Sequence, residues 1–110
     1  MNVVYIAGPF RAATPWGIKL NVDRAEALAL EVWKLGAVAL CPHAMTRHYQ
    51  DAAPDDVWLA GMLELLGRCD AVLLVEGWQR STGALEERLR ALDLGLPVFE
   101  HLHQLQAWLG

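Results

Sequence analysis

Short apolar runs alternate along this chain with longer amphipathic stretches. Asn2 to Ala7 is a β-branched and aromatic run that stops at Gly8-Pro9, as a strand entering a loop does. Thr14-Pro15 follows, an N-cap residue with proline at the first helical position. Ile18, Val22, Ala25, Leu28, Ala29 and Val32 then recur at helical spacing until Gly36 closes the helix after Lys34. Gly17 weakens the first turn, which leaves a start near Ile18 or Leu20 as the alternative. Ala37 to Cys41 reads as a second strand, ended by Pro42. From His43 to Asp56 the chain is polar and irregular, a loop longer than most connections and of the kind that forms functional lids. Pro54-Asp55-Asp56 starts a helix running to about Gly67, and Asp70 to Val75 is the third strand. Pro97 to Glu100 is the fourth. A closing helix from about His103 to Leu109 turns Leu102, Leu105, Trp108 and Leu109 inward. Strand and helix in alternation predict an α/β fold with a parallel sheet and right-handed crossovers.

The stretch from Gly77 to Gly95 carries the candidate chemistry. A helix opens there at the end of a buried strand, and Ser81 and Thr82 are good capping types. Gly83 lets a ligand approach the backbone where unpaired N–H groups and the helix dipole favour an anion. At about 100° per residue, Ala84, Leu85, Leu89, Ala91, Leu92 and Leu94 form a broad apolar arc expected to lie on the sheet. Glu86 falls opposite, beside Arg90 and Asp93, as solvated surface. Glu87 sits at the edge of the arc, partly shielded yet within reach of a ligand, which makes it the candidate reactive group. The plainer alternative is a boundary residue that steadies the helix start by charge, worth roughly 0.3–1 kcal/mol. Arg88 falls inside the arc and breaks its pattern, to face a partner subunit or pair with an acid.

Parallel α/β sheets bind ligands at the C-terminal ends of their strands, where the strand order switches. Three loops meet there: Gly8 to Pro15 with Arg11, Pro42 to Pro54 with Arg47 and Tyr49, and Gly77 to Gly83. Trp16 and Trp78 are candidates to stack on a flat base, against the plainer reading that both are simply packed. Tyr5, near the end of the first strand, is placed to point its hydroxyl into the same crevice or to be an ordinary strand aromatic. His43 and His48 stand five apart, a separation that helical zinc pairs do not use.

Composition narrows the picture. The 110 residues suffice for one domain with a single core, and the apolar fraction of 55% excludes a disordered chain. A formal net charge of −4 leaves no footprint for a polynucleotide, although a small anion needs only one local positive spot. Cys41 and Cys69 lack metal-type spacing and read as free thiols of a reducing, cytoplasmic compartment. The apolar N-terminus lacks the basic flank of a signal peptide, and no apolar run reaches membrane-spanning length.

Tyr5-Ile6-Ala7-Gly8-Pro9-Phe10-Arg11, then Cys69-Asp70-Ala71-Val72, then Gly77-Trp78 with Ser81-x-Gly83-x-x-x-Glu87 and Gly95-Leu96-Pro97-Val98 occur in this order. Together they resemble the nucleoside 2-deoxyribosyltransferase-like superfamily, in particular its small branch named for the domain of unknown function DUF4406. The resemblance spans nearly the whole chain. It implies a single Rossmann-like (flavodoxin-like) domain over residues 1–110, with four to five parallel strands flanked by helices, and a homodimer or higher homo-oligomer whose sites can borrow residues across the interface. It implies Glu87 as nucleophile and Tyr5 as the group that orients it. Gly8, Pro9, Phe10, Arg11, Trp78, Ser81 and Gly83 would hold the substrate, a small-molecule nucleoside or nucleoside 5′-monophosphate, with no metal or other cofactor taking part. Ser81 in place of the deoxyribosyltransferase aspartate tilts the expectation toward nucleotides.

Two positions depart from the pattern. Met62 stands where the family has an acid contacting the sugar, and Pro9 where nucleotide hydrolases have serine. The expectation is an N-glycosidase or (deoxy)ribosyltransferase. The alternatives are a non-catalytic nucleotide sensor, favoured by Met62, and a structural dimerisation module, favoured by Arg88 and the five tryptophans.

Overall fold

A computed structural model of the protein describes residues 1–49 and 51–110; Gln50, within the predicted loop, lies outside them. Four strands form an open, all-parallel sheet in the order β2-β1-β3-β4: β1 Val3–Ala7, β2 Val38–Leu40, β3 Ala71–Leu74 and β4 Val98–Phe99. Tyr5 sits at its centre, in register with Leu40 on one side and Val72 on the other. The fold is α/β and Rossmann-like, with four strands.

Alternation along the strands divides the core in two. Val4, Ile6, Leu73 and Val75 face one side, where they pack with Ala25, Ala29 and Val32 of helix α1 (Pro15–Lys34) and Leu105 of α5 (Leu102–Leu109). Tyr5, Ala7, Val72 and Leu74 face the other, against Leu66 of α3 (Asp55–Leu66) and Ala91 of α4 (Thr82–Asp93). In a strand, residues two apart share a face, so a run buried on both sides needs helices on both.

Helix α1 begins at Pro15 with Thr14 as its cap, as the sequence indicates, and not at the alternative Ile18 or Leu20, because Thr14 Oγ1 accepts the Gly17 N–H at 3.1 Å and so fixes the turn that glycine alone would loosen. The stretch after Cys41 is not irregular from its start. Pro42 seeds a one-turn helix α2 (Pro42–Met45), whose carbonyl accepts the Thr46 N–H. In α5, Leu105 is buried and Leu102 and Leu109 are half-buried, whereas Trp108 is exposed rather than turned inward, its ring lying 5.6 Å from that of Phe99.

The largest departure concerns α4. Ala84, Glu87 and Ala91 are its buried positions, and Leu85, Leu89, Leu92 and Leu94 are exposed, with Leu89 56% open. The helix is thus turned by most of a quadrant from the leucine arc expected to lie inward. Small alanines let its backbone approach β3 closely, and the bond made by Glu87 beneath it holds the rotation.

Candidate functional site

Strand order reverses on either side of β1, with β2 to one side and β3 to the other, so the crevice beyond the C-terminal ends of β1 and β3 is where a ligand belongs. A cavity of about 580 Å³ opens there, within the size range of small-molecule sites. Its wall comes from the loop Gly8–Arg11 after β1, from Pro42, His43 and Thr46 after β2, from the first two turns of α3, and from Arg80 to Glu87 after β3.

Local sequence shapes the opening of α4. Gly77 takes φ +92°, a left-handed turn that side chains avoid, and a short 3₁₀ turn over Trp78–Arg80 follows. Ser81 then caps the helix, its Oγ accepting the Ala84 N–H at 3.2 Å. The N–H groups of Thr82 and Gly83, which a helix start leaves without internal partners, border the cavity, and the space a Cβ would fill at Gly83 is open. Gly8 is glycine for a different reason: a Cβ there would run into the side chain of Val75.

Glu87 reaches the cavity from one turn further into α4 and is only 8% exposed. The hydroxyl of Tyr5, fully buried in the sheet beneath it, donates to Glu87 Oε2. Burial pushes the Glu87 carboxyl up from 4.5 to about 7, the Tyr5 hydrogen bond pulls it back, and the nearby Glu86 charge adds a small push upward. Burial first, and then the charge of Glu87, hold the Tyr5 hydroxyl far above its ordinary value. The phenol therefore keeps its proton and donates it permanently, while the carboxylate is poised between charged and neutral at physiological pH. Such a group can serve as nucleophile or as acid and base.

The expected residues gather here except Trp78, Trp16, Arg47 and Tyr49. Gly8, Pro9, Phe10, Arg11, Ser81, Gly83 and Glu87 line the cavity, and Tyr5 lies directly behind Glu87. Trp78 does not line it. Its ring packs in the core on the α3 and α4 side, with the Arg88 guanidinium 5.2 Å from its centre. Arg88 breaks the apolar arc for that reason. Trp16 stands exposed on α1 under the Lys19 ammonium. Arg47 is spent on Glu26 at 2.8 Å, and Tyr49 lies 5.8 Å from the Trp58 ring.

Arg11, expected among the residues that hold the substrate, pairs with Asp55 of α3 across the mouth of the cavity. Acids outnumber cations on the lining: Asp55, Asp56, Glu86 and Glu87 stand against Arg11 and Arg80. Glu86 is exposed, as its helix position requires, yet borders the opening.

Sequence reasoning missed His43, Trp58, Asp55 and Asp56 as wall residues. The apolar Trp58-Leu59-x-x-Met62 row was visible as a helix face. That this face turns partly to a cavity instead of the core depends on how far α3 stands off the sheet, which no local pattern encodes.

A family model described as Domain of unknown function (DUF7768) matches residues 2–101. The chain belongs to the DUF7768 family. No curated protein and no solved structure matches it. The DUF7768 match runs from β1 to the residue before α5 and so contains every group that lines the cavity. No helix of the described residues is long and apolar enough to cross a membrane.

Proposed function

We propose that this DUF7768 protein cleaves or transfers the N-glycosidic bond of nucleoside 5′-monophosphates or nucleosides, with Glu87 as nucleophile. The observation that carries this reading is the buried Tyr5–Glu87 pair at the inner end of a cavity edged by a free helix start. In its charged form the carboxylate attacks the anomeric carbon as the bond to the base breaks. The electron pair leaves with the base nitrogen, which takes a proton from water, and a glycosyl ester to Glu87 remains. Tyr5 donates to one carboxylate oxygen and so leaves the other to react. Water, or a second base, then attacks the same carbon and frees the carboxylate.

The resemblance to the nucleoside 2-deoxyribosyltransferase-like superfamily supports this reading, and with it a homodimer. The exposed row Leu85, Leu89 and Leu92, which falls on one face of α4, is the surface we assign to the second copy. The free thiols Cys41 and Cys69 support a cytoplasmic assignment.

The deciding experiment is chromatography of free base after incubation with a panel of nucleosides and their 5′-monophosphates. Glu87→Gln is expected to abolish release while ligand binding stays measurable, and Glu86→Gln to leave turnover intact. Undiminished release by Glu87→Gln ends the assignment.

The second reading is a nucleotide sensor without chemistry. Met62, where an acid would contact the sugar, lines the cavity, and Asp55 already holds the charge of Arg11. Tight binding without base release by the wild type decides for the sensor.

A further inference from the structure

His43 is a buried polar side chain that neither the proposed chemistry nor a ligand contact explains. It stands second in α2, is 6% exposed, and forms part of the cavity wall. Its Nε2 lies 2.9 Å from the carbonyl oxygen of Pro9 and 3.2 Å from that of Gly8. Carbonyls only accept, so Nε2 carries the proton. Burial holds the imidazole below its ordinary pKa, and its Nδ1, enclosed and without a partner among the described residues, has no acceptor for a second proton.

Asn21, on α1, treats the next two peptides in the same way. Its Nδ2 donates to the carbonyl of Phe10 at 3.0 Å and, more weakly, to that of Arg11 at 3.4 Å. Four successive carbonyls, Gly8 to Arg11, are thereby drawn toward two donors in the scaffold.

The consequence follows from the peptide plane. In a trans peptide the carbonyl and the following N–H point to opposite sides, and this chain has no cis bond among its described residues. Holding the Pro9 carbonyl against His43 sends the Phe10 N–H the other way, and holding the Phe10 carbonyl against Asn21 does the same for the Arg11 N–H. Neither N–H finds an acceptor among the described residues. Both residues line the cavity, beside the free N–H groups that open α4.

We propose that His43, together with Asn21, is a positioning residue that sets the Gly8–Arg11 loop with its N–H groups presented to a phosphate. Removing the donor frees the carbonyls to turn inward, where they repel an oxyanion. The role rests on the nucleotide reading above, yet it concerns binding and is separable from turnover.

The test is equilibrium binding of nucleoside 5′-monophosphates and the matching nucleosides, by calorimetry, to variants whose thermal melts verify folding. His43→Met keeps bulk and removes the donor; it is expected to weaken the monophosphates tenfold or more and the nucleosides less than threefold. His43→Gln, whose amide N–H groups reach the same carbonyls, is expected to restore monophosphate affinity to within threefold of wild type. Equal weakening of both ligand classes, or a folded His43→Gln that binds as poorly as His43→Met, overturns the proposal. Where His43→Met does not fold, Asn21→Ala carries the same prediction from the half-buried side of α1, and an equal loss for both ligands overturns it as well. A wild type that binds monophosphates preferentially but releases no base removes the catalytic reading, and the selective loss in His43→Met with its rescue in His43→Gln then upholds the positioning role by itself. A wild type with no preference for monophosphates overturns the positioning role whatever it hydrolyses.

Discussion

Glu87→Gln tests the fold and the proposed site at once, because a carboxyl buried in this way weakens the protein that holds it. The carboxyl titrates near 4.5 when the chain is unfolded and at about 7 when it is folded. Between those values the folded protein binds a proton that the unfolded chain releases, so stability falls as pH rises through that window and is level above it. Below 4.5 both states are protonated and nothing is lost. The gap, at about 1.4 kcal/mol per pH unit, amounts to about 3 kcal/mol of destabilisation at pH 8. Burial supplies most of it, and the Tyr5 hydroxyl, by favouring the charged form, offsets part.

Glutamine matches the carboxyl in shape, stays neutral at every pH, and keeps an oxygen that accepts from Tyr5. The variant is therefore expected to be more stable than wild type by about 3 kcal/mol at pH 8 and nearly equal to it at pH 4.5. For a chain of this length that is a rise in Tm of about 10 °C. Melts followed by circular dichroism at both pH values measure it, and taking the difference between the two proteins cancels every other titrating group. A difference that does not grow with pH, or a glutamine variant less stable at pH 8, refutes the picture of a strained, desolvated carboxyl. Combined with loss of base release, the expected result is the signature of a group retained for activity at the expense of stability.

Three further outcomes follow from the same geometry. The kcat/KM for base release is expected to rise with pH through about 7 as Glu87 ionises; Tyr5→Phe, which removes the bond that favours the charged form, moves this limb upward by about one pH unit, and an unmoved limb refutes the pairing. Asp55→Asn frees Arg11 from its exposed partner and is expected to tighten nucleoside monophosphates severalfold while leaving nucleosides unchanged, whereas Arg11→Ala weakens the monophosphates selectively; equal effects on both ligands, measured by calorimetry, remove Arg11 from phosphate binding. Leu89→Glu places a charge in the exposed leucine row and is expected to lower the sedimentation coefficient from dimer to monomer while circular dichroism shows the chain still folded, and a wild type that already sediments as a monomer removes that surface from consideration.

What the sequence discloses and what it hides divide along one physical line. Strand positions were legible because a sheet covered on both faces demands continuous apolar runs, and Val4 to Ala7 and Ala71 to Leu74 have no other use. The caps at Thr14 and Ser81 were legible because each depends on a residue type acting over three positions. The rotation of α4 was not. Hydrophobicity alone places Leu85, Leu89 and Leu92 inward and leaves Glu87 on an edge, and the arc so drawn is self-consistent. What overrides it is a contact eighty-two residues away in sequence, the Tyr5 hydroxyl, a buried donor that makes a carboxyl tolerable against the sheet. Once that bond forms, Ala84 and Ala91 are the side chains that share its face, and both are small enough to let the helix settle. The leucines are then turned outward as a consequence. The same displacement that exposes an apolar row on the outer face thus sets the carboxyl at the inner end of the cavity. The exposed apolar row and the buried carboxyl are two results of a single helix rotation, so a substitution that lets α4 turn back is expected to disturb both together.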